Sequence, residues 1–480
     1  MVSVFAAGGK PAPRMRRSPP LSLIEPGSTI TREDNQVAER RRFAQVGMGA
    51  RSSLYYEAIA GTFKKGNELV GFCDTNQARM DLANRAISEK FGARPVPTYS
   101  FDRFDEMARN EKPDVIIITS IDRTHHAYII RAMELGCDVI SEKPMTIDER
   151  KCRAILEAIE RTGKKLRVTF NYRYAVHNSR IRELIRDGVI GEVTAVHFEW
   201  LLDTSHGADY FRRWHRDKRN SGGLLVHKAT HHFDLVNFWI ASRPQTVFAF
   251  GDLMFYGREN AEARGTTRFY SRAHGCDQSV GDPFALHLEK SPSLKALYLD
   301  AETEDGYIRD QSVFGDGISI EDTMAVLVRY ASGAMMSYSL TAYAPWEGFR
   351  VSMTGTRGRM EVEVVESGYV SAAGERSMEG VSREQRITVR PQLAAPYEVE
   401  IPVAEGGHGG GDTALLKDLF GAQAPDPLNR AASHVDGAWS ILTGIAANAS
   451  IRTGRPVDVE RLIGRMHARE AHSPFASSSV

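Results

Sequence analysis

Between Arg42 and Phe170 short apolar runs alternate with segments of helical spacing, and this alternation restricts the fold more than any other feature. Phe43–Val46, Glu68–Cys73, Val96–Tyr99, Val115–Thr119, Val139–Ile140 and Arg167–Phe170 read as strands. Ser52–Thr62, Arg79–Phe91, His126–Leu135 and Ile147–Arg161 read as the helices between them. Val115-Ile116-Ile117-Ile118-Thr119 is an unbroken β-branched run, as expected of a strand buried on both faces. Such alternation predicts an α/β, doubly wound parallel sheet with helices on both sides.

After Asn171 the period becomes two. Glu192–Leu201, Met324–Arg329, Ala334–Leu340, Phe349–Met353 and Arg359–Val364 alternate between faces, which predicts a large, mostly antiparallel open sheet. Helical segments at Arg180–Arg186, His231–Ile240, Thr413–Phe420 and Ala438–Ser450 make this half α+β. Residues 251–316 carry charge, glycine and aromatics with little periodicity, which predicts a lid or binding loop. At 480 residues more than one core is expected. The divisions are a disordered tail over 1–40, a nucleotide-binding unit over 41–172, a substrate-binding and oligomerisation unit over 173–465 with its insertion at 251–316, and a second tail over 466–480.

Basic and acidic residues balance at 61 each, which argues against a nucleic-acid or acidic-membrane partner. No run reaches the ~18 apolar residues of a membrane helix. Cys73, Cys137, Cys152 and Cys276 form no C-x-x-C pair, and a reducing compartment fits them. Arg16-Arg17 resembles a twin-arginine signal but lacks the following apolar core, so a cytoplasmic protein is expected.

Gly47-Met48-Gly49-Ala50-Arg51-Ser52 follows the first strand and opens the first helix. This is where a Rossmann sheet turns sharply and presents backbone amides to a pyrophosphate. Ser52 stands in place of the third glycine. Asp74 closes the second strand, 25 residues beyond Gly49, where a carboxylate accepts hydrogen bonds from a ribose diol and repels a 2′-phosphate. NAD is therefore the expected cofactor; a turn-capping role for Asp74 is the alternative. About 95 residues after the glycine turn, Val139-Ile140-Ser141-Glu142-Lys143-Pro144 sets a lysine at a strand's carboxyl end, where it can move the proton that accompanies hydride transfer. A surface ion pair between Glu142 and Lys143 is the bland alternative.

With these segments in place the chain resembles the Gfo/Idh/MocA oxidoreductases, the family of glucose–fructose oxidoreductase and inositol dehydrogenase. The likeness covers roughly 42–245 and 320–460. It includes the glycine loop, Asp74, Thr119-Ser120 followed by His125, Glu142-Lys143-Pro144 and Asn171-Tyr172-Arg173. It continues through Gly222-Gly223 to His231 and Asp234, and ends in Ala447-Asn448-Ala449-Ser450 with Thr453-Gly454-Arg455-Pro456. The resemblance implies that Thr119, Ser120, His125, Glu142, Asn171 and Arg173 approach the cofactor, and that Lys143 touches the substrate hydroxyl. It implies an acid–base role for His231 and a homo-oligomer, a dimer or tetramer. His227 stands where the family commonly has an aspartate, which changes the proton bookkeeping.

His227 and His231 share a helical face and form a possible metal pair, but the chain offers no clear further ligands, and no metal is expected. Arg213, Trp214 and His215, in Tyr210-Phe211-Arg212-Arg213-Trp214-His215-Arg216, suit a sugar ring or, equally, an oligomer interface. Tyr307 and Arg309 in the insertion, His232, and His408 in a glycine run are further candidates for substrate contact; a flexible loop is the alternative for His408. Asp412 is placed to cap the helix that follows.

Two functions follow. The first is NAD-dependent hydride transfer at a secondary hydroxyl of a sugar, glycoside or cyclitol. The second is an NAD-dependent glycosidase, which oxidises the 3-hydroxyl transiently, eliminates across the glycosidic bond and returns the hydride. That branch of the family, some of whose members accept sulfonated sugars, is resembled through Tyr307, His408 and the adjacent histidines. A non-catalytic NAD sensor is disfavoured by the presence of both Lys143 and His231.

Overall fold

Six strands, β1 (Arg41–Val46), β2 (Asn67–Asp74), β3 (Thr98–Ser100), β4 (Val115–Ile118), β5 (Asp138–Ser141) and β6 (Leu166–Val168), form a parallel sheet. Its order is β3-β2-β1-β4-β5-β6, so the chain reverses direction across the sheet between β1 and β4. The computed structural model describes residues 40–370, 384–402 and 409–464. The expected tails fall almost wholly outside these residues.

The β-branched run forms β4 at the sheet centre, where Val115, Ile116, Ile117 and Ile118 are all buried. Each such side chain contributes about 1.5–3 kcal/mol on leaving water. Asn76 caps the helix Gln77–Phe91 by accepting from the Arg79 amide at 3.2 Å, and Gly92 ends it in the left-handed region. The expected strands and helices all occur, with ends shifted by a few residues. The helix Phe104–Glu111 was not foreseen. Its buried Phe104, Met107 and Ala108 have helical spacing, but the segment is only eight residues long.

The second sheet has nine strands among the described residues: β7 (Val193–Asp203), β8 (Pro244–Asp252), β9 (Thr323–Tyr330), β10 (Met335–Ala344), β11 (Glu347–Gly355), β12 (Gly358–Ser367), β13 (Glu384–Pro391), β14 (Tyr397–Val399) and β15 (Val457–Asp458). The β7–β10 pair is parallel and every other pair is antiparallel. Val196, Phe198, Trp200 and Leu202 point inward from β7. They meet the inner helices Ala229–Ile240 and His434–Thr453. Strand β8 escaped the sequence reading because Phe248 and Phe250 on its outer face blur the alternation with buried Val247 and Ala249. The irregular stretch between β8 and β9 is therefore 253–322, close to the expected insertion. Part of it packs on the helix Gln77–Phe91, at the edge of the first sheet. Among the described residues no helix is long and apolar enough to cross a membrane.

Candidate active site

The carboxyl ends of β1, β2, β4 and β5 open onto a cavity of about 400 Å³, closed on the far side by residues 206–231 and 298–307. Gly47 makes the first turn. Its φ of +87° favours glycine, and a Cβ there would lie 2.4 Å from the Ser120 amide nitrogen. A Cβ on Gly49 would instead enter open space, meeting only the Tyr298 hydroxyl at 4.0 Å. A bare backbone facing open space at the start of the first helix is what a pyrophosphate needs. Met48 and Ser52 turn away from the cavity. The Met48 side chain packs with Phe72 and Met80, and Ser52 Oγ donates to the Gly49 carbonyl at 2.6 Å.

Asp74 lines the cavity and accepts from the amides of Met48 and, at 2.9 Å, Asn76. Burial pushes its pKa up, against the opposing pull of these donors. The carboxylate ties the turn, as the capping alternative expects, and also faces the cavity. Thr119 binds back to the Gly47 carbonyl at 2.5 Å. His125 joins the ends of β4 and β5, with Nδ1 2.8 Å from the Pro144 carbonyl and Nε2 2.9 Å from that of Ser120. It thereby fixes the segment that carries Lys143.

Glu142 is buried and accepts from Arg51 Nε at 2.7 Å and from the Tyr55 hydroxyl at 2.6 Å. Burial opposes its ionisation, but Arg51 and Tyr55 outweigh that and hold its pKa below the usual range. Arg51 also pairs with Asp412 at 2.9 Å, and Asp412 accepts from Asn171 at 2.8 Å. Asp412 thus joins this network rather than capping its helix, which begins at Gly411 after Gly410. Lys143 Nζ donates to the His227 carbonyl at 3.4 Å.

The far wall meets the nucleotide side at His227. Its Nδ1 lies 2.5 Å from Asp122 Oδ2, a short hydrogen bond. Burial, then Lys143 and Arg213, push the His227 pKa well down; burial pushes Asp122 well up. His215 packs edge-on at 4.2 Å and stacks on Trp214, and burial lowers its pKa too. The His227–His231 pair did not offer a metal set in the sequence, but Asp122, His215 and His227 bring ligand atoms within 4.8 Å of one another. Lys143 and Arg213 act on the same carboxylate and pull its pKa down, against the larger effect of burial.

Arg213, Trp214, His215, His231 and Tyr307 line the cavity, as expected. Besides Met48 and Ser52, three candidates do not. Arg173 is buried away from it, paired with Asp234 at 2.6 Å and Asp436 at 2.8 Å. His232 is wholly buried against the sheet, stacked on Trp200 with Nδ1 2.7 Å from the Tyr338 hydroxyl. Arg309 sits behind the wall and grips Asp209 with one nitrogen 2.8 Å from each oxygen. His408 lies outside the described residues. Within Tyr210–Arg216 the work divides: Arg212 donates to the Phe284 carbonyl and Arg216 to those of Ser312 and Asp316, while the residues between them face the cavity.

Sequence reasoning missed Asp122, 105 residues from its partner. It also missed the insertion's grip on the nucleotide side. Tyr298 Oη accepts from the Ala50 amide at 3.2 Å, Arg79 pairs with Asp305 at 2.5 Å, and Asn76 Nδ2 donates to the Ala301 carbonyl at 2.8 Å. None of these has a local pattern that announces it.

Comparison with known proteins agrees with the two-part fold. Residues 41–170 match the oxidoreductase family's NAD-binding Rossmann fold, and 182–459 match its C-terminal alpha/beta domain, the two parts of the Gfo/Idh/MocA description. The chain is 37% identical over 438 residues, 87% of its length and 97% of the relative's, to oxidoreductase YteT of Bacillus subtilis. It is 33% identical over 126 residues, 26% of this chain and 34% of the relative, to D-glucoside 3-dehydrogenase of Escherichia coli. Its fold matches the WlbA dehydrogenase of Bordetella pertussis, solved with NADH and UDP-GlcNAcA, with a TM-score of 0.55 and 20% identity, over 88% of this chain and 99% of that one.

Proposed function

The chain belongs to the Gfo/Idh/MocA oxidoreductases, and from that premise we propose that it moves a hydride between NAD and a secondary hydroxyl of a sugar, glycoside or cyclitol. One observation carries the reading: Lys143 and the Asp122–His227 pair converge on the cavity that Gly49 and Asp74 line. Bound NAD supplies the hydride acceptor or donor. The Gly47–Ser52 turn and the first-helix amides hold the pyrophosphate, and Asp74 takes the ribose diol. Arg51, Glu142 and Asn171 keep Lys143 in place. Lys143 and His227 handle the hydroxyl proton, with Asp122 orienting the imidazole and stabilising its charged form. His231, stacked on Tyr172 at 4.3 Å, walls the substrate side. The partial relationship to D-glucoside 3-dehydrogenase supports a glycoside as substrate. Native mass spectrometry for bound NAD, followed by methyl glycosides, 4-nitrophenyl glycosides and myo-inositol with absorbance of reduced cofactor as readout, tests this.

A second reading, redox-neutral glycoside cleavage, draws support from the insertion. Tyr298 meets the turn at Ala50, and Arg79–Asp305 closes the adenosine side. A cofactor enclosed in this way suits chemistry in which the hydride returns within one turnover. Aglycone released over many turnovers without added NAD is the outcome that favours it.

A further inference from the structure

Asp122, His215 and His227, all buried and all lining the cavity, carry the donor types that a divalent transition ion binds. Asp122 opens the short turn Asp122–Thr124 just after β4, His215 sits in the turn Trp214–Arg216, and His227 ends the short helix Leu224–His227. Gly222 and Gly223, at φ of +73° and +79°, reverse the chain between the two histidines. Ser221 Oγ holds that reversal, donating to the His215 carbonyl at 2.9 Å and accepting from the Gly223 amide at 3.0 Å. One ligand atom from each of Asp122, His215 and His227 therefore lies within 4.8 Å of the other two.

An independent observation points to a ligand at the same place. His215 is 2% exposed, and its Nδ1 has no hydrogen-bond partner among the described residues. Buried polar nitrogens are nearly always satisfied, because an unmade bond leaves the desolvation cost unanswered. Trp214 stacks on the His215 ring at 3.6 Å, and Tyr210 meets it edge-on at 5.5 Å, so packing fixes the imidazole. Two imidazoles and a carboxylate are three protein ligands, the number a catalytic zinc ion takes when its fourth position stays open. Nitrogen donors favour zinc over magnesium or calcium, which prefer oxygen. Two ligand atoms each about 2.1 Å from a tetrahedral ion stand about 3.3 Å apart. With His227 Nδ1 as ligand, its 2.5 Å contact with Asp122 opens by roughly 0.8 Å as the ion replaces the proton.

We infer that Asp122, His215 and His227 form a binding site for a zinc-type divalent cation, whose open position takes the substrate hydroxyl. The inference deepens the hydride-transfer reading and rests on it. The hydroxyl oxygen ligates the ion, which favours loss of the hydroxyl proton. Lys143 Nζ, 3.4 Å from the His227 carbonyl, accepts that proton in its neutral form, which a neighbouring dication favours. The C–H electron pair leaves with its hydrogen as hydride. The alcohol is oxidised by two electrons to the ketone, NAD is reduced by the same two, and the ion keeps its charge. With the ion seated His227 is a ligand, and Lys143 alone takes the proton that the two handle without it.

The test treats the NAD-loaded full chain with a chelator, then titrates it with ZnCl2 by calorimetry and with CoCl2 by visible absorbance, where the cobalt colour reports coordination. One ion per chain is expected. His215→Phe keeps a ring for Trp214 to stack on and removes a ligand. It should weaken binding of either ion by ~100-fold or more, beyond the loss seen when an outer partner is mutated. Asp122→Asn keeps the shape and removes the charge, and serves if His215→Phe does not fold. His274→Ala, at an exposed histidine of the insertion, should leave the affinity unchanged. Cofactor reduction by methyl glycosides or myo-inositol should fall by ~100-fold on chelation and return with ZnCl2. No binding of either ion, or binding lost in His274→Ala and kept in His215→Phe and Asp122→Asn, overturns the site and leaves the hydride reading standing. Zinc bound at these residues whose removal leaves cofactor reduction unchanged overturns its part in the reaction. Cofactor reduction absent with and without zinc overturns the hydride reading, and with it the role given to the ion.

Discussion

The two walls of the cavity differ in how they are built. The nucleotide wall consists of strand ends and the loops directly after them, so Gly47, Asp74, Thr119 and Lys143 reach the site through local chain geometry. The opposite wall is held across long separations, within itself by His206 with Glu347 and to the nucleotide wall by His227 with Asp122 and Tyr298 with Ala50. The first wall makes a dinucleotide site that many chemistries share. In the function proposed above, the second decides which proton moves and how firmly the cofactor is held.

The sharpest contrast between the walls is chemical. Lys143→Ala or His227→Ala should cut turnover by ~2–4 decades, as expected for acid–base groups, with thermal unfolding close to wild type. Steady-state kinetics beside a melting curve decides this; a parallel loss of stability would move these residues to a structural role. Arg173 should behave in the opposite way. Arg173→Ala strands the buried Asp234 carboxylate and takes a partner from the half-buried Asp436, and should cost about 3–5 kcal/mol of stability in denaturant unfolding. Weakened NAD binding with stability intact would return Arg173 to the cofactor.

The insertion's hold on the nucleotide wall should be a smaller effect. Asp305→Ala frees Arg79 and should speed NAD release by about 10-fold, the weight of roughly 1.4 kcal/mol. A displacement chase with fluorescence of the bound cofactor measures the rate, and an unchanged rate removes the insertion from cofactor retention. The gentlest probe is electrostatic. His227 is held below its usual pKa by burial and then by Lys143, so Lys143→Met should raise it. In an NMR titration of chelator-treated protein the His227 ring should then gain its proton at higher pH than in wild type. A shift in the other direction would mean that the two groups do not face each other.

Much of the fold was legible because it is written in local periodicity. The β-branched run at Val115–Ile118 announced the sheet centre, and period-two segments announced β7 and β9 to β12. Legibility stopped where tertiary context overrides pattern. Arg173 and His232 sit in a motif and a histidine cluster that suggest a site, yet the inner helix Ala229–Ile240 and its neighbours bury both. Asp122 looked like one more loop residue, and His215 was only part of an aromatic–basic segment. Their roles depend on residues from other elements, and no spacing rule brings those together.

The central proposal is that this cavity oxidises a sugar hydroxyl with bound NAD through Lys143. Its most direct test is a single-turnover mixing experiment in which NAD-loaded protein meets the methyl glycosides and myo-inositol while reduced-nicotinamide absorbance is followed. The account predicts a burst of reduced cofactor with at least one of these sugars, slowed by ~100-fold or more in Lys143→Ala while NAD remains bound. No reduction by any of them in NAD-loaded wild type, or an undiminished burst in Lys143→Ala, would contradict it.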